Sequence, residues 1–196
     1  MKILINAILL ALLLGGCATP HIPLSRVAFD QAVSVTSEKT AKVWLVPGDV
    51  SGSGGLTLVP AGSIALPIPT GPQPHLQFNV EDQRIFVDSF KNELQRLKLF
   101  RTALDGDSPE SADIGIKLRF TRTYHNRGMQ EYTLDVVMEI AGGKKPFLKQ
   151  YHVISSEYDS WWEKMNTNAS EGKTKAGNIL IKQLIPDVEA YVAENR

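Results

Sequence analysis

The stretch from Ile114 to Ile140, IGIKLRFTRTYHNRGMQEYTLDVVMEI, decides the fold. Ile114, Ile116, Leu118 and Phe120 alternate with Gly115, Lys117, Arg119 and Thr121. Tyr132, Leu134, Val136, Met138 and Ile140 then alternate with Thr133, Asp135, Val137 and Glu139. Successive strand residues point to opposite faces, so a period of two describes strands with one apolar and one polar face. Gly142-Gly143-Lys144 marks the next turn, and Phe147 to Ile154 reads as the third strand of a meander. Such a sheet is covered on one face only.

The cover comes from two amphipathic segments that flank the meander. Upstream, Phe86, Phe90, Leu94 and Leu97 form one helical stripe, with Asn79 as N-cap and Glu81 and Asp82 in the first turn. Downstream, a helix from about Thr174 to Ala193 carries Ala176, Leu180, Leu184, Val188 and Tyr191 or Val192 on one side, with Pro186 expected to kink it. Between them, Ser160-Trp161-Trp162-Glu163 matches a capping box that opens a short helix. Ala41 to Val46 is a β-branched and aromatic strand stopped by Pro47-Gly48. The expected fold class is α+β: an antiparallel sheet, one strand and then the three-strand meander, with two amphipathic helices packed on one face.

Residues 47–77 are too rich in glycine and proline for a helix, and a connection of this length in a compact domain is functional or mobile. Leu56 to Val59 and Ile64 to Leu66 are short enough to pair as a hairpin around Pro60-Ala61-Gly62. The preceding Gly48 to Gly55 run lacks the Gly-Lys-Ser/Thr ending of a phosphate loop and reads as flexible loop.

The first residues carry an address. Lys2 and the apolar run Ile3 to Leu14 have the length of a secretory signal core, short of the roughly 20 apolar residues that span a bilayer. Leu14-Gly15-Gly16-Cys17 resembles the lipobox of bacterial lipoproteins, and Cys17 is the chain's one cysteine. That resemblance implies cleavage before Cys17, a diacylglycerol thioether on its sulfur and an acylated amino group. Several acyl chains anchor firmly, because each buried CH₂ contributes roughly 0.8 kcal/mol. Ala18 in place of Asp implies, by the family's sorting rule, the periplasmic leaflet of a Gram-negative outer membrane. The expected organisation is signal peptide 1–16, lipidated N-terminus and tether 17–40 with an edge strand within Val27 to Val35, and one periplasmic domain 41–196.

Composition narrows the function. The 196 residues carry 21 basic and 21 acidic side chains, so no net charge draws the chain to nucleic acid. One cysteine excludes an internal disulfide framework, and the scattered His21, His75, His125 and His152 lack metal-ligand spacing. His125 and His152 are placed to face each other across the meander, which describes surface histidines more often than a metal site. His152, Ser155, Ser156, Glu157 and Asp159 include hydrolase residue types, but neighbours on a strand alternate faces and build no triad. No catalytic residue, metal or cofactor is expected. Tyr158, Trp161 and Trp162 are the candidate partner-binding side chains, since adjacent tryptophans cannot both face a core and an exposed one suits an interface or lipid headgroups.

From Phe86 onward the layout resembles small envelope lipoproteins of the YajG type and, more loosely, PqiC-type auxiliary lipoproteins of lipid-transport systems. The resemblance rests on Phe90, Leu94, Lys98-Leu99-Phe100, the Ala112-Asp113-Ile114 strand opening, Gly142-Gly143, Ala176-Gly177-Asn178 and Leu184-Ile185-Pro186-Asp187. It implies an outer-membrane-tethered, non-catalytic accessory or scaffolding subunit of an envelope assembly or transport system, with an envelope protein or a second copy as partner. The alternative is a periplasmic carrier of a lipid or other small hydrophobic ligand, held between sheet and helices.

Overall fold

The computed structural model describes residues 21–53, 55–61, 64–108, 110–127, 130–157, 159–160, 163–164 and 167–195. Its centre is the meander read above. β6 (Ile114–Asn126) pairs antiparallel with β7 (Glu131–Ala141), and β7 with β8 (Phe147–Ile154). Ile116, Leu118, Phe120, Leu134, Val136 and Met138 are buried on one face. The alternation slips once. A bulge between Phe120 and Arg122 leaves Thr121 out of the cross-strand register, so beyond it Thr123 and His125 turn inward.

β1 (Thr40–Val46) joins the sheet, but parallel to β6, where an antiparallel strand was expected. The reason is connectivity. β1 and β5 (Thr102–Asp105) are linked through α1 (Val80–Arg96), and a helical crossover returns the chain in the same direction. The result is a mixed α+β sheet in the order β5-β1-β6-β7-β8 whose long pairings are antiparallel.

The stretch expected as a flexible loop is partly ordered into the sheet. β2 (Asp49–Ser53) continues the lane of β1 against β6. Its sequence has little strand propensity; the excess length of β6 supplies the pairing. Gly48 stands at the break between β1 and β2, where a Cβ would lie 1.9 Å from the Phe120 carbonyl oxygen, so only glycine lets the two backbones approach. β3 (Gly55–Ala61) and β4 (Ile64–Thr70) pair as the expected hairpin, in a separate two-stranded sheet.

Both helices cover the apolar face. α1 carries the expected stripe of Phe86, Phe90 and Leu94, wholly buried. α2 (Ala169–Glu194) begins a turn and a half before the expected Thr174 and runs on through Pro186. Asn168 caps it by accepting from the Glu171 amide, and Gly172 fits against the Gln130 carbonyl and the Tyr132 ring.

The N-terminal segment corrects the sequence reading most. Of the expected tether, 17–40, the described part from His21 onward has no strand before β1 and does not hang free. Leu24, Val27 and Phe29 are buried in the core with residues of both helices. Val27 seats against Gly177, where even a methyl group would come within 2.5 Å of its side chain. The weak alternation of Val27 and Phe29 suggests an edge strand in the sequence; the structure uses these side chains instead to plug the core without regular secondary structure.

Candidate functional site

The main concentration of buried charge lies where the N-termini of both helices meet this strap. Asn79 Oδ1 accepts from the amides of Glu81 and Asp82 at 2.9 and 3.0 Å, and Asp82 Oδ2 accepts from the Asn79 amide at 3.0 Å. This capping box puts the Asp82 carboxylate at the positive end of α1. Asp82 is fully buried and also accepts from the Leu24 amide at 2.7 Å. Lys173, fully buried on α2, donates to Asp82 Oδ2 at 2.9 Å and to the Ile22 carbonyl at 2.6 Å. His21 Nε2 lies 3.2 Å from Asp82 Oδ2. Burial pushes the Lys173 pKa below its ordinary value, with the adjacent carboxylate acting against the shift.

Beneath this pair, the His125 and Tyr132 rings stack at 4.5 Å. The Tyr132 hydroxyl donates to the Leu76 carbonyl at 2.6 Å, and its amide donates to Ser155 Oγ at 2.9 Å. His125 Nε2 lies 3.3 Å from Gln130 Oε1. Burial lowers the His125 pKa, Gln130 opposes the shift, and the Lys173 and Arg127 charges add to it. Burial, and then Asp82, raise that of Tyr132.

The strap is held along its whole length. Phe29 donates its amide to Glu93 and accepts from Arg96 through its carbonyl, Asp30 pairs with Lys182 at 3.2 Å, and Glu189 accepts from the Ser34 and Val35 amides. Chemically the polar cluster is a lock. Both oxygens of Asp82 are engaged, by the strap, the α1 cap and Lys173.

A second feature lies on the outer, uncovered face of the sheet. The partly exposed Trp44 lies against Gly106 and Gly115, where a Cβ would come within 2.2 and 2.9 Å of the indole. Two open concavities of about 440 and 410 Å³ meet at Trp44 and Leu45. The first lies at the edge of the sheet beside α1 and is lined also by Arg84, Val87, Asp88 and Asp107; the second lies on the uncovered face and is lined also by Val46, Lys117, Glu139 and Ala141. Cross-strand register extends this face as the row Trp44, Lys117, Glu139, Leu148, and Leu148 is 70% exposed. In the sequence Trp44 is only a strand residue; the two glycines that shape its seat are 62 and 71 positions away.

Cys17, Leu14, Gly15 and Gly16, with the candidate partner residues Tyr158, Trp161 and Trp162, lie outside the described residues. The capping box beside the tryptophans does form: the Ser160 amide donates to Glu163 Oε2 at 2.7 Å, and Ser160 Oγ accepts from the Glu163 amide at 3.4 Å. His125 and His152 do not face each other. The β6 bulge turns His125 into the core, and His152 projects outward to Asp135 at 2.6 Å. Ser155 Oγ accepts from the Tyr132 amide, and Ser156 Oγ donates to the Glu131 carboxylate. Among the described residues no group of three or more His, Cys, Asp or Glu is arranged to hold a metal ion. The sheet–helix gap is packed with side chains; a void there, bordered by Phe100, Ile114 and Tyr191, measures about 10 Å³, roughly room for one water.

No protein-family model and no curated protein matches the chain. Among solved structures, the crystal structure of protein XCC0632 from Xanthomonas campestris, described by the family model DUF330, covers 91% of this chain and 100% of its own. Its TM-score is 0.52 at 11% sequence identity, which shows a shared fold. A crystal structure described as an uncharacterized protein covers 84% of this chain and 95% of its own at 9% identity, with a TM-score of 0.34.

Proposed function

We propose that the protein is a lipid-anchored periplasmic accessory subunit, non-catalytic, that presents the outer face of its sheet to an envelope partner. The observation that carries this reading is the division of its polar groups. The buried charges hold the N-terminal strap, while Trp44 and the row to Leu148 stay open on the uncovered face. Aromatic side chains on rigid elements make economical interface anchors. The DUF330-type fold supports it too, since the PqiC-type lipoproteins that the sequence resembles are DUF330 proteins.

Photo-crosslinking of the full-length lipoprotein from Trp44 and Leu148 in cell envelopes tests the proposal. The expected result is one recurrent envelope protein, or a second copy, joined at both positions, with Cys17 acylated by intact mass. A chain without acyl groups that fractionates away from the outer membrane overturns it. So does a catalytic activity abolished by one polar substitution.

A further inference from the structure

The place where the strap begins bears on how the domain stands at the membrane. His21 and Ile22 are fixed at the N-termini of both helices: Ile22 donates its amide to the His75 carbonyl at 3.2 Å and accepts from Lys173, and His21 sits against Asp82. Cys17 is four residues upstream. At about 3.4 Å per residue, that leash spans at most about 14 Å. The tether read from sequence, free to residue 40, would reach about 80 Å at the same rise. A docked strap therefore removes most of the domain's reach.

We infer that the end of the domain formed by the helix N-termini is a bilayer-apposed surface, held against the lipid headgroups by a leash too short to let the domain turn over. The inference rests on acylation of Cys17, as proposed above. Ser25, Asn168, Ser170, Glu171 and Thr174 line one open concavity at this end, and Glu171 is exposed. The opposite end holds the β7–β8 turn, where Lys144 donates its amide to Asn195 beyond α2. Along the helix axis the two ends are about 36 Å apart at 1.5 Å per residue. The occupant is a membrane because the chain outside the described structure ends there in the acylation site, and nothing longer than the leash separates them.

Full-length acylated protein in phosphatidylethanolamine/phosphatidylglycerol vesicles tests this, with a donor dye on Glu171→Cys or Lys145→Cys and acceptor dye on lipid headgroups. Cys17 is blocked by its thioether, so each label is unique. Energy transfer from position 171 is expected to be several-fold stronger than from position 145. A twenty-residue Gly/Ser insertion between Pro20 and His21, just ahead of the first described residue of the strap, is expected to level the two. Equal transfer from both positions in the uninserted, acylated chain, or stronger transfer from 145, overturns this proposal alone. Absence of acyl mass on Cys17 overturns it together with the anchoring reading.

Discussion

Replacing Lys173 by methionine tests the lock between strap and helices. The Lys173 ammonium is fully buried, 2.9 Å from Asp82 Oδ2 and 2.6 Å from the Ile22 carbonyl. Methionine keeps much of the apolar stem but leaves Asp82 buried without its cation. Breaking a buried pair from one side costs about 3–5 kcal/mol, because the remaining charge is uncompensated. Asp82 retains the Leu24 and Asn79 amides, which places the loss near the lower figure. For a domain of this size about 3 kcal/mol lowers Tm by about 6–12 °C. Thermal unfolding and urea titration give the stability change, and hydrogen exchange locates it. The amides of Leu24 and Phe29, which donate to Asp82 and Glu93, are expected to lose protection before those of the β6–β7 pairing. A Lys173→Met chain within about 0.5 kcal/mol of the parent, with strap amides still protected, refutes the reasoning.

Other perturbations probe other contacts. Gly177→Ala gains about 1 kcal/mol of helix propensity but drives a methyl group within 2.5 Å of Val27, so overpacking of about 1–3 kcal/mol wins; a double-mutant cycle with Val27→Ala should show favourable coupling. Gly142 has φ 101° and a Cβ there would meet the Asp113 carbonyl at 2.1 Å, so Gly142→Ala should cost about 2–4 kcal/mol in urea unfolding. His125 has its folded pKa held below 6.5, so between those values the unfolded chain binds more protons; stability falls as pH drops below 6.5 and levels off under the folded pKa. Urea midpoints at pH 7.5 and 5 should show this loss, and His125→Phe, which keeps the ring stack on Tyr132, should reduce it.

The legible part of the fold follows from periodicity. β7, and β6 as far as Phe120, alternate cleanly because one sheet face is bare, and α1 shows its stripe because one side faces solvent. The parallel entry of β1 left no trace, since a strand's direction in a sheet is set by what lies between strands. β2 was hidden by a Gly/Ser sequence that only the long β6 makes into a strand. The Asp82–Lys173 pair joins residues 91 positions apart, and each alone resembles an ordinary charge on a helix's first turns. His125 misled because a single bulged residue, Thr121, reverses which later side chains point inward. The expected partner residues rest on an argument about adjacent tryptophans, whereas the exposed large apolar side chains among the described residues are Trp44, seated by glycines distant in sequence, and Leu148.

The central claim is that the N-terminal segment belongs to the fold and couples the domain to its anchor. A chain beginning at Lys39 tests it most directly. Leu24, Val27 and Phe29, at roughly 1.5–3 kcal/mol each, contribute up to about 5–9 kcal/mol, comparable with the whole stability of a typical domain. The account predicts that this chain loses its cooperative unfolding transition and near-ultraviolet circular dichroism, and that adding a peptide of residues 21–37 restores both. A chain from Lys39 that unfolds cooperatively at the parent Tm would contradict it and return the segment to the role of a free tether.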